Sequence, residues 1–347
     1  MRSLSVENPM PLKGGPTLRW GILAPGVIAA SFVESVLRHT DQKVTAVGSR
    51  SSERSSEFAR RFGILKSYGS YEQLLSEDEI DIVYIASPHS HHYAIALTAL
   101  EAGKHVLIEK PIATSAQEAR QIRDAASSAG LFAMEAMHTR FHPKTRVLDQ
   151  LLRNGDIGPV QMVTAEAGAT YPEDLTHRIY DPDLGGGVLL DMGVYSVWFS
   201  VFALGAPVET VHCVGRLTST GVDAQSTTLM ATADGGLATA SCSLSTLHSG
   251  VATVNGSNGR VVFHSRFGAP GELTFFDARN QPVAEFVDRS GLVSAGDGLC
   301  RQAVWAARHV SDELGESPMH PLSTSIATMQ VLDEARLQLG VTEPLQA

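Results

Sequence analysis

Between Leu18 and Phe132, short apolar runs alternate with amphipathic stretches. Leu18–Leu23 predicts a strand, and Val27–Leu37 a helix with Ile28, Phe32, Val33 and Val36 on one face. The series continues with a strand over Val44–Val47, a helix over Ser52–Phe62 and a strand over Asp81–Ala86, bounded by Pro88. A helix over Tyr93–Leu100 stops at Gly103; strand His105–Ile108, helix Ala116–Ala126 and strand Leu131–Met134 follow. Strands of this length alternating with helices mean βαβ units and a parallel sheet. Their continuous apolar runs fit a sheet covered on both faces.

The second half reads differently. Lys144–Leu152 predicts a helix ended by Asn154-Gly155, and Val188–Ala203 another. From Val208 to Phe276 the signal is strands with hairpin turns at Asp234-Gly235-Gly236 and Asn258-Gly259. Thr227–Ala233 and Leu237–Leu244 flank the first turn, as in an antiparallel sheet. Two helices close the chain, Leu299–Leu314 and Ser323–Leu339, the latter with Ser323 as N-cap and Gly340 beyond its end. The expected fold is an α/β domain over 17–138, followed by an α+β domain over 139–347 with a large open, mainly antiparallel sheet. The closing helices are candidates to pack back on the first domain. Residues 1–16, with Pro9, Pro11, Pro16 and Gly14-Gly15, read as an irregular arm, a frayed tail.

Composition narrows the function. The length of 347 residues suits two domains at about 150 residues each. With 27 Lys and Arg against 37 Asp and Glu, the net charge is −10, which argues against a nucleic-acid partner. A hydrophobic share of 43% and a mean hydropathy of +0.00 are those of a soluble globular protein. No run of 18 apolar residues is present, so no membrane partner is expected. Cys213, Cys242 and Cys300 are an odd, sparse set, poor for disulfides and consistent with a reducing compartment. Met1–Pro16 lacks the apolar core of a secretory signal, so the expected location is cytoplasmic. His89, His91 and His92, with His138 and His142 available, raise a metal reading. No cysteine or carboxylate shell accompanies them, and no metal is expected.

The first strand runs into Ala24-Pro25-Gly26-Val27-Ile28, where a Rossmann dinucleotide-binding domain places its glycine-rich turn. The middle glycine lets the backbone approach a pyrophosphate, and the helix N-terminus faces the charge. Alanines stand for the outer glycines and Pro25 intrudes. An NAD site usually offers a carboxylate after the second strand. Ser49, Arg50 and Ser51 stand there instead. A guanidinium and hydroxyls suit a 2′-phosphate, so NADP is the expected cofactor and NAD the lesser alternative.

Glu109-Lys110-Pro111 follows the strand His105–Ile108, and ligands in open α/β sheets bind beyond strand carboxyl ends. Lys110 is thereby placed near the nicotinamide. After Gly185-Gly186-Gly187, Asp191 and Tyr195 are spaced i, i+4 and share one face of a helix. Together with Ser87-Pro88-x-x-x-His92 and Ala102-Gly103-Lys104-His105-Val106, these motifs resemble the Gfo/Idh/MocA oxidoreductases along nearly the whole chain. Tyr195, where many members carry His, and Glu135-Ala136-Met137-His138-Thr139-Arg140-Phe141 resemble the branch of dimeric dihydrodiol dehydrogenases and NADP-dependent xylose dehydrogenases. The resemblance implies an NAD(P) cofactor, a sugar, polyol or cyclic diol substrate, and a homo-dimer or higher oligomer. It implies cofactor contacts from Ala24, Pro25, Gly26, Val27, Ile28, Ser49, Arg50, Ser51, Ser87, Pro88, His92, Glu109, Lys110 and Arg140. It places Lys110, His138, Arg178, Asp191 and Tyr195 at the substrate.

Oxidising a carbinol needs a base for the hydroxyl proton while hydride leaves carbon. A free tyrosine titrates near ~10, and a neighbouring ammonium favours its phenolate. Tyr195 is therefore the expected acid/base, Lys110 its electrostatic partner, and Asp191 the group that positions substrate or Lys110. Two alternatives stand beside this: a non-catalytic dinucleotide-sensing regulator, and an enzyme like glucose-fructose oxidoreductase with permanently bound NADP.

Overall fold

The computed structural model describes residues 1–172 and 174–341. The chain opens on a short strand, β1 (Arg2–Ser3), whose partners lie far along the sequence. Two units form. A parallel-sheet unit takes in Met10–His138 and Ala295–Leu322. A large-sheet unit takes in Met1–Pro9, Thr139–Ser294 and the chain from Ser323.

In the parallel-sheet unit, β2 (Arg19–Leu23), α1 (Val27–His39), β3 (Lys43–Gly48), α2 (Ser52–Phe62), β4 (Lys66–Tyr68) and α3 (Tyr71–Leu75) form the first half. β5 (Ile82–Ile85), α4 (His92–Glu101), β6 (His105–Glu109), α5 (Ala116–Ala129) and β7 (Ala133–Ala136) form the second. The strand order is β4-β3-β2-β5-β6-β7, with every pairing parallel. The order reverses direction at β2, so β2, β3 and β5 end beside a topological switch point, where such sheets bind ligands. The strands are buried as their apolar runs require: every residue of β5 is inaccessible. Phe32 of α1 stacks on Tyr84 of β5, with centroids 3.9 Å apart, and meets the edge of Trp20 at 5.5 Å. Ile28 departs from its expected place on that buried face. It is 38% exposed, as the second residue of α1, ahead of the turns that bury Phe32, Val33 and Val36.

The large-sheet unit begins with α6 (Pro143–Arg153) and β8 (Val160–Gly168). A π-helical turn at Leu189–Gly193 leads into α7 (Val194–Leu204). Then come β9 (Val208–Leu217), β10 (Asp223–Thr232), β11 (Leu237–Ser243), β12 (Ala252–Gly256), β13 (Gly259–Phe263), β14 (Glu272–Asp277) and β15 (Pro282–Val287). With β1 they form nine strands in the order β1-β15-β14-β13-β12-β8-β11-β10-β9. The sheet is mixed and mostly antiparallel; β1–β15 and β8–β11 are its parallel pairs. Asp234-Gly235-Gly236 turns β10 into β11, and Ser257-Asn258 turns β12 into β13. By length and composition Pro182–Leu204 could cross a membrane, but 78% of its most apolar window is buried inside the fold, as in a core helix.

Of the closing helices, α8 (Cys300–Ser311) belongs to the parallel-sheet unit, and α9 (Leu322–Leu339) runs into the large-sheet unit. Ser323 is not the N-cap. The helix starts one residue earlier, and the Leu322 N–H is satisfied by the Glu316 carboxylate at 2.7 Å. The arm is not a frayed tail either. Leu4 N–H donates to the Glu285 carbonyl at 2.7 Å, and Arg146 donates to the Glu7 carbonyl at 2.8 Å. Backbone pairing to an edge strand that sequence alone could not locate fixes the arm.

Candidate active site

The nucleotide half is built at the end of β2. Ala24 adopts a left-handed conformation, φ 63°, with its N–H on the Gly48 carbonyl at 3.1 Å. Alanine bears about 1 kcal/mol of strain there, where glycine would bear none. Gly26 caps α1 without a side-chain hydrogen bond, and the first turn carries no acidic residue. The N–H groups ahead of Ala30 have no intrahelical acceptor. A methyl group built on Gly26 would come no closer than 3.9 Å to the protein. The fold itself therefore does not need glycine at this point, whereas a phosphate drawn onto the helix N-terminus does. Pro25 is buried beneath the turn, and Val27 and Ile28 are exposed beside it.

After β3, Ser49 is buried and accepts the Ser51 N–H at 3.2 Å, while Ser51 caps α2 by accepting the Arg54 N–H at 3.3 Å. Arg50 is exposed. Arg54, which sequence reasoning did not single out, reaches back to the Pro25 carbonyl at 3.4 Å. Burial raises the Tyr71 phenol, and Arg50 and Arg54 both hold it back, so the two guanidinium groups share one neighbourhood. Burial also lowers His91, with Arg50 adding to the shift. This corner carries two positive charges and no carboxylate at the strand end, a fit for a 2′-phosphate.

At the end of β5, Ser87 Oγ is buried with no hydrogen-bond partner among the described residues, another group open to a ligand. Pro88 is half-buried beside it. His92, expected to wall the pocket, is fully buried. Its ring nitrogens lie 2.7 and 2.9 Å from the carbonyls of Pro111 and Ser87, so it ties the β5 and β6 loops together. Glu109 turns its carboxylate inward to accept from Tyr84 Oη and, at 3.3 Å, from the Lys110 N–H. Burial pushes Glu109 up to about 7, against the pull of Tyr84 and Lys110. Lys110 itself is half-buried at the strand end. Burial pushes His138 down to about 4, and the Lys110 charge adds to that.

Burial also lowers His92 and His309 to about 4. These three histidines lie in the parallel-sheet unit. Each binds a proton far more readily unfolded, near 6.5, than folded. Their stability contribution is complete above about 6.5 and lost as pH falls toward 4. Urea unfolding between pH 7 and 4 is expected to show uptake of as many as three protons; a pH-independent midpoint for this unit would refute the assignment.

In the large-sheet unit, the residues expected at the substrate gather around the start of α7. Asp191 sits in the π turn, 3% exposed. Its Oδ1 accepts from Arg178 Nη2 at 3.0 Å and its Oδ2 from Tyr171 Oη at 3.2 Å. The structure thus brings together two expected substrate residues, Asp191 and Arg178, and adds Tyr171. Tyr195 is half-buried as the second residue of α7. The i, i+4 spacing spans a π turn rather than regular α-helix, and such turns occur frequently at functional sites. Arg140 is spent differently from its expected cofactor role. It is 5% exposed, donates to Asp149 at 2.8 Å and lies over the Phe202 ring at 4.8 Å, so its charge is used inside the large-sheet unit. Among the described residues, no three His, Cys, Asp or Glu side chains converge on a metal-sized site.

Residues 18–137 match the family model described as an oxidoreductase family with an NAD-binding Rossmann fold, and residues 145–262 match the GFO/IDH/MocA C-terminal domain. The chain is 36% identical over 332 residues to trans-1,2-dihydrobenzene-1,2-diol dehydrogenase of Mus musculus, covering 94% of this chain and 98% of that one. The Homo sapiens protein of the same name is 34% identical over 332 residues, with the same coverage. Among solved structures, a 3-ketoreductase from Actinomadura kijaniata in complex with NADP and TDP-benzene superposes with a TM-score of 0.80. It is 27% identical, with 93% of this chain and 98% of that chain covered. That ketoreductase has also been solved with one tyrosine changed to phenylalanine and with one lysine changed to alanine or glutamate. Levoglucosan dehydrogenase in complex with NADH and levoglucosan shares the fold, with a TM-score of 0.84 at 18% identity over 93% of this chain and 97% of that chain.

Proposed function

The chain belongs to the Gfo/Idh/MocA oxidoreductases, and from that premise we propose that it is an NADP-preferring dehydrogenase or reductase. Its substrate is a sugar, polyol or cyclic diol, reacting at a CH–OH or ketone carbon. Relatives named as dihydrodiol dehydrogenases support the substrate class. The observation that carries the chemistry is the start of α7. There a buried carboxylate, Asp191, is held from both sides by Tyr171 and Arg178, one helical turn before Tyr195. Such a fixed acceptor can orient a substrate hydroxyl.

The bound dinucleotide supplies the hydride acceptor in oxidation and the donor in reduction. Tyr195 takes the hydroxyl proton in oxidation and returns it in reduction. Lys110 contributes the positive charge that favours phenolate and binds the reacting oxygen. Asp191 positions the substrate. Gly26 and the first N–H groups of α1 hold the pyrophosphate, and Ser49, Arg50 and Arg54 hold the 2′-phosphate. The three cysteines are buried and form no disulfide, which suits a reducing cytoplasm. One face of the large sheet exposes Met162, Val214, Leu229 and Leu237, a surface suited to covering by a second copy.

Fluorescence titration with NADPH and NADH tests the cofactor assignment. Wild type is expected to prefer NADPH. Arg50→Ala and Arg54→Ala are each expected to weaken NADPH about 10–100-fold, the value of a charge-assisted bond, with NADH nearly unchanged. Equal affinity for both nucleotides in wild type would remove the NADP assignment. Failure to bind either would remove both the dehydrogenase reading and that of a dinucleotide-sensing regulator.

A further inference from the structure

We infer that Asp223 is the positioning residue of the substrate half, a carboxylate delivered from β10 to anchor the π turn that carries Asp191 and leads into Tyr195. The inference rests on the proposed function, in which those two residues meet the substrate.

The π turn starts without a cap of its own: Val188 precedes it and makes no side-chain hydrogen bond. A helix start leaves backbone N–H groups unpaired. Here the Leu189 N–H donates to Asp223 Oδ2 at 2.6 Å. The donor and acceptor are 34 residues apart in sequence, so this is a cap supplied from another element. Asp223 is fully buried, and Arg336 of α9 supplies a favourable charge. A negative group at a helix N-terminus also meets the positive end of the macrodipole.

Within the Gly-Gly-Gly run, Gly187 finds its reason in the same contact. A methyl on Gly187 would lie 2.2 Å from Asp223 Oδ1, and Gly187 has φ 102°, which side-chain-bearing residues rarely adopt. A methyl on Gly186 would fall 2.7 Å from the carbonyls of Asp181 and Ile179. Gly186 lets the backbone turn tightly onto the segment bearing Arg178, and Gly187 admits the carboxylate. Asp223 therefore fixes the pitch of the turn from which Asp191 and then Tyr195 project. An angular error of this kind degrades alignment with the reacting carbon more than it degrades binding.

The test uses the full chain and the best substrate from a sugar and diol screen, with Tyr195→Phe as reference. Asp223→Ala is expected to lower kcat about 10–100-fold, with KM and NADPH affinity within about twofold of wild type. Hydrogen exchange in the peptide over 187–195 should accelerate at least about tenfold, with little change in the parallel-sheet unit. Asp223→Asn, which keeps an oxygen for the Leu189 N–H, should recover most of both. Should the alanine variant not fold, Asp223→Ser, whose oxygen stops short of that N–H, gives the same comparison. Wild-type kcat and exchange in a folded variant lacking the carboxylate would overturn the inference. So would a loss of NADPH affinity in step with kcat, which marks general destabilisation. Full activity in Tyr195→Phe would instead sink the function proposal, and the exchange measurement would still decide whether Asp223 anchors the turn.

Discussion

Tyr195→Phe is expected to lower kcat by about 10²–10⁴, the usual contribution of a positioned acid or base, while NADPH affinity stays unchanged. The substitution removes one oxygen and leaves the ring. Tyr195 lies in the second position of α7, half-buried, and the helix behind it is anchored by aromatic packing such as Phe199 edge-on to Phe263 of β13, 5.3 Å apart. The variant should therefore unfold at the wild-type temperature within a few degrees. A fall in kcat/KM equal to the fall in kcat would place the loss in the transition state, as proton transfer requires. A rise in KM with kcat intact would make Tyr195 a substrate contact only, and the acid/base role would pass to another group.

The parallel-sheet unit was legible because its central strands are mostly apolar and α2, α4 and α5 stop at or beside Gly63, Gly103 and Gly130, whereas the short, polar β4 and five-residue α3 gave no such signal. The large sheet was only partly so. β8 (Val160–Gly168) points Val163, Ala165 and Ala167 inward, and two alanines give a faint alternation. β15 opens with Pro282, a residue that argues against a strand interior but is admissible at a first position. β1 is two residues long and exists only through β15. At the site, motif spacing singled out Lys110, Asp191 and Tyr195, which the structure puts just after β6, in the π turn and in the first turn of α7. It could not show that Arg54 folds back to Pro25, that Tyr84 holds Glu109, or that Asp223 caps the π turn. Those partners are distant in sequence and carry no local signature. Arg140 and His92 stood in motif positions, yet Asp149, Phe202 and two backbone carbonyls use them inside the fold.

Replacing Lys110 with methionine should cost about 10²–10³ in kcat, the scale of one lost donor to a developing oxyanion. It should also move the pH profile, and the sign follows from Glu109. Burial raises this carboxyl from 4.5 to about 7, and the Lys110 charge is among the influences that hold it down. Below pH 7 Glu109 is neutral; above it a carboxylate stands beside the lysine. Oxidation needs the Lys110 ammonium held at the reacting oxygen, and the ionised Glu109 carboxylate holds it at the strand end by attraction, so the rate should rise through about pH 7 in wild type. Methionine keeps the aliphatic stem and the backbone N–H that Glu109 accepts, but removes the charge. The Glu109 carboxyl must then titrate higher, and the acid limb of the residual activity should shift to alkaline pH. If kcat falls and the limb stays where it was, Glu109 is not the group that sets it. If the limb shifts without a fall in kcat, Lys110 tunes its neighbour but does not touch the reacting oxygen. Only the two effects together place the lysine charge at both the buried carboxyl and the substrate.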